Sequence, residues 1–241
     1  MNIIKLNAID STNNFLKELS ATQILDNFTT VVTENQLKGK GQRGATWSSE
    51  DGKNLTFSTF INHTSASTNE LFTFNIVASI AIVEVLKKHQ LTQLHIKWPN
   101  DILSENKKIC GILIENTIKS DGSIHCIIGI GLNVNQMAFE NLPKASSMAI
   151  LKNTIFDKEV LLNEVLTSLK QHYHQLQHSD LLWKKYHLYL YKKGTPVAFE
   201  DTSKKQFMGI IQGVSSFGKL IVLLEDDIIN EYDIKEIKML Y

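Results

Sequence analysis

Apolar and polar residues alternate in different rhythms along this chain, and each rhythm predicts an element. Asn2 to Asn7 reads as a short strand. Ser11 then stands where a helix cap belongs, ahead of Phe15, Leu16 and Leu19 at helical spacing. Thr29 to Thr33 is rich in β-formers, and Leu55 to Ile61 alternates as a half-buried strand does. Glu70 to His89 gives the strongest helical signal. It is apolar on more than one face, which predicts a buried helix. Leu94 to Trp98 reads as a strand that Pro99 stops. Lys108 to Thr117 and Ser123 to Val134 read as two strands joined by the hairpin signal Ser120-Asp121-Gly122. Asp157 to Gln177 and Ser179 to Tyr191 follow as helices.

The rhythm changes at Gly194. Pro196 to Phe199, Gln206 to Val214, Lys219 to Leu224 and Ile228 to Tyr232 are short β-patterned runs with tight turns between them, which predicts a small all-β barrel. A boundary near residue 192 therefore divides the chain into residues 1–191 and residues 192–241. There is no internal repeat and no low-complexity tract.

Composition narrows the function classes. The 241 residues are 43% apolar and 21% charged, an ordinary globular balance. Acidic and basic residues number 25 each, so no whole-molecule basic field favours nucleic acid. The longest mostly apolar stretch, Leu71 to Leu86, is interrupted by Thr73, Asn75, Ser79 and Glu84 and is too polar to span a bilayer. The start MNIIKLNAIDSTNN lacks the basic and apolar regions of a signal peptide, which points to a cytoplasmic protein. Cys110 and Cys126 lie in apolar runs and read as buried thiols in a reducing compartment.

Four polar clusters are costly in a plain core and so carry the candidate chemistry. They are Ser11-Thr12-Asn13, the stretch Gln36 to Trp47, the stretch Lys97 to Lys108 with Gly111, and Gly129 to Asn135. Gly39-Lys40-Gly41-Gln42-Arg43-Gly44 matches G-x-G-x-x-G, yet Ala45 to Gly52 has turn composition where a dinucleotide fold needs a helix. A P-loop is excluded too, since no Gly-Lys-Ser/Thr follows. What survives is a basic glycine loop able to approach an anion, weighed against an ordinary surface loop. Asn100 and Asp101 sit past the expected strand end at Pro99, a usual place for ligand contacts and equally for a plain turn. Lys108 opens an apolar strand, either facing solvent or as a fixed charge in a cleft. Gly111 suggests a bulge or a ligand against bare backbone. Gly129 and Gly131 lie on one face of a strand and leave a slot, or weaken an edge strand where two copies could pair. Asn133 suits the edge of an adenine or a ureido group.

His172, His174, His178 and His187 raise a metal reading, with His174 and His178 one helical turn apart. No carboxylate or cysteine trio accompanies them, so solvated helix histidines are expected.

Taken together, the clusters resemble the catalytic domain of biotin protein ligases, the holocarboxylase synthetase family, in order and approximate spacing over residues 9–135. The resemblance implies an α+β fold: a mixed-sheet catalytic domain of class II synthetase-like type with flanking helices, plus a small C-terminal SH3-like β-barrel. It implies ATP and Mg²⁺ as cofactors and biotin as substrate. Biotin becomes biotinyl-5'-AMP and is then transferred to a lysine of a biotin carboxyl carrier domain. It also implies roles. Ser11, Thr12, Asn13 and Gln36 would hold the ureido ring, with Gly39, Gly111, Gly129 and Gly131 making room for biotin. Lys108 would hold the carboxylate and act in both steps, with Lys40 and Asp101 beside it. Lys40, Gln42, Arg43, Trp47, Asn100, Lys108 and Asn133 would serve ATP, with no dedicated protein cage for the metal. Many family members carry arginine where this chain has Gln42. Some bacterial members also carry an N-terminal helix-turn-helix domain. Here the Ser-Thr-Asn motif begins at residue 11, short of the about 60 residues a small domain needs, so no operator binding is expected. A lipoate or octanoate ligase or transferase and a non-catalytic biotin-binding regulator are the competing readings.

Overall fold

The computed structural model describes residues 2–64, 71–176 and 179–240, and leaves the Arg43 side chain undescribed. One sheet contains seven strands: β1 (Ile3–Ile9), β2 (Thr30–Gln36), β3 (Leu55–His63), β4 (His95–Lys97), β5 (Asp101–Ser104), β6 (Lys107–Ile118) and β7 (Ile124–Leu132). Their order is β1-β2-β3-β7-β6-β5-β4. Only β1 and β2 pair in parallel; a parallel pair needs a crossover, and helix α1 (Thr12–Thr22) supplies it.

The period of two along the central strands sorts core from site. On β7, Cys126, Ile128, Ile130 and Leu132 face the main core. Helix α2 (Thr73–Lys88) lies in that core with Phe74, Ile76, Val77, Ile80 and Val83 all essentially inaccessible, as its all-round apolar sequence predicts. Helices α4 (Lys158–His174) and α5 (Ser179–Tyr189) pack against α2. Helix α1 packs elsewhere, in a smaller cluster of Leu16, Val31, Phe60 and Ile127. The odd-numbered residues of β7 thus share a face with α1, and Gly129 and Gly131 are among them.

Five strands form an antiparallel second sheet: β8 (Pro196–Asp201), β9 (Gln206–Val214), β10 (Leu220–Leu224), β11 (Ile229–Tyr232) and β12 (Ile237–Leu240), in the order β11-β10-β9-β8-β12. The two sheets touch. The buried Trp98 indole, just past β4, donates to the Gly218 carbonyl, between β9 and β10, at 2.8 Å. A side chain at Gly218, whose φ is +83°, would collide with Phe72. Among the described residues no helix is long and apolar enough to cross a membrane.

Several expectations need correction. Asp101 was expected in a turn but opens β5, which the reversal at Glu105 and Asn106, both at positive φ, returns to β6. Helix α3 (Met148–Lys152) and strand β12 are too short to show a period and so do not announce themselves. Strand β7 is the central strand, flanked by β3 and β6, so Gly129 offers no edge for pairing two copies. His172 is not a solvated helix histidine: it is buried, its Nε2 lies 2.7 Å from Glu84 Oε2, and Lys185 meets the other carboxylate oxygen at 2.8 Å. His174 is exposed, and His187 Nε2 accepts from Val214 N–H. The expected helix start at Glu70 and end at Gln177, and His178, lie outside the described residues.

Candidate active site

The face of the large sheet opposite α2 is floored by cross-strand rows with little side chain. One row runs Thr56–Gly131–Gly111–Asp101 across β3, β7, β6 and β5. The next runs Ser58–Gly129–Leu113. Above this floor opens a cavity of about 710 Å³, a volume suited to a ligand the size of a cofactor. Its walls come from the start of α1, the loop after β2, the β4–β5 turn, Lys144, and residues of the second sheet including Glu200, Asp201, Lys204 and Lys238.

One end is neutral and internally bonded. Ser11 caps α1, its hydroxyl oxygen accepting from Asn14 N–H at 3.4 Å. The Thr12 N–H donates to Gln36 Oε1 at 3.0 Å, tying α1 to the end of β2. Thr12 Oγ1 lies 2.6 Å from Ser58 Oγ, and Ser58 donates to Asn13 Oδ1 at 2.5 Å. Asn13 Nδ2 donates to Glu115 Oε2 at 2.7 Å and to the Leu113 carbonyl at 3.4 Å. Ser11, Thr12 and Asn13 are each 2–3% exposed, so the sequence tripeptide is a buried polar set, satisfied by partners.

The other end is cationic. Lys108 Nζ pairs with Asp101 Oδ1 at 2.6 Å and sits 5.6 Å above the Trp47 ring. Lys97, Lys144, Lys204, Lys235 and Lys238 line the same space. Burial lowers the Lys97 pKa; the Asp101 charge opposes this, and the charges of Lys108 and Lys238 add to it. Of the carboxylates here, Asp101 is paired with Lys108 and Glu200 with Lys204, while Asp201 accepts from Ser203 and Lys205 of its own turn. No group of three potential metal ligands occurs among the described residues.

The glycine loop is folded on itself. Gly41 N–H donates to the Ala45 carbonyl at 2.7 Å and Trp47 N–H to the Gly39 carbonyl at 3.0 Å, around a 3-10 turn at Gln42–Gly44. This presents Lys40, Gly41, Gln42 and Trp47 to the cavity. Lys40 Nζ donates to Asn14 Oδ1 at 3.1 Å.

Ser11, Thr12, Asn13, Gln36, Lys40, Gln42, Trp47, Asn100, Asp101, Lys108, Gly111, Gly129 and Gly131, separated by up to 120 positions, thus meet around one cavity. Two expected residues do not line it. Gly39 lies beneath, where a β-carbon would be 2.2 Å from the Trp47 carbonyl oxygen and 2.6 Å from Gln36 Nε2. Asn133 lies beyond the end of β7, its amide donating to the Ser146 carbonyl at 2.9 Å, so it shows no edge to a ligand. The Arg43 side chain lies outside the described atoms. The glycines also differ from an open slot. A β-carbon at Gly131 would be 2.3 Å from the Trp47 indole, and at Gly129 it would be 2.3 Å from Asn13 Oδ1. Both glycines make room for protein side chains. Asn100 donates to the Ile112 carbonyl at 2.6 Å, which pins the β4–β5 turn to β6.

Sequence reading missed Thr56, Ser58, Glu115, Lys144 and the lysines of the second sheet. The signal for Thr56 and Ser58 was present: on an alternating strand they fall opposite Phe57.

Fold and cavity define a synthetase-like ligase domain of the class II α+β type, closed by an SH3-like β-barrel. The chain belongs to the biotin/lipoate A/B protein ligase family, which residues 6–133 match. It is similar to the bifunctional ligase/repressor BirA of Bacillus spizizenii, 28% identical over 94% of this chain and 70% of that protein. It is also similar to the biotin–[acetyl-CoA-carboxylase] ligase of Mycobacterium tuberculosis, 23% identical over 79% of this chain and 71% of that one. Among solved structures it resembles the biotin protein ligase from Aquifex aeolicus in complex with biotin and ATP. That likeness has a TM-score of 0.78 at 26% identity and covers 99% of this chain and 98% of that one.

Proposed function

We propose that this chain is a biotin–[carboxyl carrier protein] ligase that activates biotin with ATP and transfers it to a lysine of a carrier domain. The observation that carries the reading is the division of a single cavity into a neutral hydrogen-bonding end and a cationic end. A substrate with an uncharged polar head and a carboxylate at the end of an apolar chain matches that division, and ATP joins it where the lysines gather.

In the first step a biotin carboxylate oxygen attacks the α-phosphorus and pyrophosphate leaves. In the second the neutral amine of the carrier lysine attacks the acyl carbon, AMP leaves, and the amine gives up its proton. Both transition states collect negative charge on phosphate oxygens. A fixed ammonium aimed at that charge is the largest contribution a protein group makes to such a step. Lys108 fills this role from the cationic end, oriented by Asp101 and packed over Trp47. Thr12, Ser11 and Gln36 select the head group, because a competing acid that leaves them unpaired forfeits their hydrogen bonds. Trp47, which rests on Gly111 and Gly131, forms the wall over the acyl chain. Gln42 and Asn100 face the nucleotide, with the backbone of the Gly39–Gly44 loop closing over the phosphates. The described cavity carboxylates are engaged by lysines and turn donors, and in this reading Mg²⁺ comes in with the nucleotide phosphates.

The test is exchange of labelled pyrophosphate into ATP. Biotin at micromolar concentration supports exchange and lipoate at the same concentration does not. Exchange with lipoate alone contradicts the assignment.

A further inference from the structure

Resting on the reading above, we infer that Glu115 and Ser58 are positioning residues that set which way the Thr12 hydroxyl points, and so set the hydrogen-bond polarity of the head-group site.

Each bond in the chain has a direction fixed by its neighbour. Asn13 has one amide atom near two groups that only accept, the Glu115 carboxylate at 2.7 Å and the Leu113 carbonyl at 3.4 Å. That atom is therefore the nitrogen. The other amide atom is the oxygen, and it needs a donor, which is the Ser58 hydroxyl at 2.5 Å. A serine has a single proton. With it committed to Asn13, Ser58 Oγ must accept across the 2.6 Å contact with Thr12 Oγ1. The Thr12 proton is then committed inward, since its other neighbour, Gln36 Oε1, is farther at 3.2 Å and already receives the Thr12 N–H. What Thr12 shows the cavity is lone pairs alone.

Ser11, next to it, is the reverse. Its oxygen accepts from Asn14 N–H, which leaves its proton available to donate. The α1 terminus thus presents one acceptor and one donor side by side. A cyclic urea presents the complement, an N–H beside a carbonyl. The polarity is imposed from Glu115, on β6 behind the cavity, three hydrogen bonds away from Thr12. Ser58 is fully buried, so water does not substitute for it. The relay joins three elements: Glu115 on β6, Asn13 and Thr12 on α1, and Ser58 on β3.

The test is a double-mutant cycle read by calorimetric titration of the full chain with biotin. Glu115→Gln keeps the shape but supplies a group that also donates, so Asn13 is free to turn and Thr12 to reorient. Ser58→Ala deletes the acceptor for the Thr12 proton with little change in volume. Each is expected to weaken biotin about tenfold, the worth of one well-placed hydrogen bond, with ATP affinity unchanged. Each is expected to lose its effect when Thr12 is already Val, because then no hydroxyl remains to orient. Biotin affinity unchanged in both single variants overturns the inference, as does a tenfold loss that persists in the Thr12→Val background. Wild-type protein that takes up no biotin overturns the ligase reading itself, and this inference with it.

Discussion

The two ends of the cavity are built in opposite ways. At the head-group end, buried and half-buried polar side chains are bonded to one another before any ligand arrives: Gln36 to Thr12, Thr12 to Ser58, Ser58 to Asn13, Asn13 to Glu115. At the phosphate end, lysines from the turn, from β6 and from the second sheet converge, and the Lys108–Asp101 contact at 2.6 Å is the short pair among them. The first arrangement discriminates by direction, since a fixed donor or acceptor rejects a mismatched partner at the cost of a lost hydrogen bond. The second tolerates varied geometry but reads charge, and it strengthens as charge develops. Recognition and catalysis are thereby assigned to separate groups within one space.

Substitutions at the two ends should therefore fail differently. The largest effect is expected from Lys108→Ala. Adenylation should fall by about 10²- to 10³-fold, as when a transition-state donor is deleted, with biotin affinity changed far less; single-turnover formation of the acyl-adenylate checks this. A loss confined to biotin affinity would break the division. Gly131→Val comes next. Its side chain meets the Trp47 indole where a β-carbon alone would lie 2.3 Å away, and such overpacking costs about 1–3 kcal/mol. Biotin titration should show a loss of tenfold or more, with circular dichroism unchanged.

Lys97 sharpens the comparison through pH. Burial lowers its pKa, so its charge disappears as pH rises through a value below that of an ordinary lysine. The KM for ATP should rise on that alkaline limb, and Lys97→Gln should raise it severalfold at neutral pH and flatten the limb. Biotin binding should not share that limb. The smallest effect belongs to neither end. Burial raises the Glu84 pKa, but hydrogen bonds and charge from Lys185 and His172 outweigh it and leave the carboxyl below its usual range. A carboxyl lowered on folding stabilises above its unfolded pKa and loses that contribution as pH falls through the folded value. Glu84→Gln should thus lower the melting temperature by a few degrees at neutral pH and by nearly nothing at strongly acidic pH, with both ligand affinities intact.

Much of this was legible in the chain. Binary patterning located β1 to β3, α1, α2, β6, β7 and the change to a small β-sheet, because each contains enough apolar residues to show its period. Ser11 as a cap and Cys110 and Cys126 as buried thiols, whose pKa burial pushes up, also follow from local sequence. Strand β5 escaped because four residues after a proline look like a turn, and pairing with β6 rather than propensity makes it a strand. The site was legible as clusters, but not as a relay. Glu115 reads as a polar residue near the end of an apolar strand, and nothing in the sequence announces that it sits behind Asn13. The glycines read as space for a ligand, whereas Gly129 and Gly131 make space for Asn13 and Trp47. Asn133 had the right chemistry for a nucleotide edge, but its place beyond the end of β7 commits its amide to Ser146.

The central claim is that one cavity joins biotin to a carrier lysine through an adenylate. Incubation of the chain with ATP, Mg²⁺, biotin and an isolated biotin carboxyl carrier domain, followed by intact mass spectrometry of the carrier, tests it most directly. The account predicts a carrier heavier by a single biotinyl group, on one lysine, formed only when ATP is present and lost with Lys108→Ala. A carrier of unchanged mass in the presence of ATP, or labelling at the native rate by the Lys108→Ala variant, would contradict it.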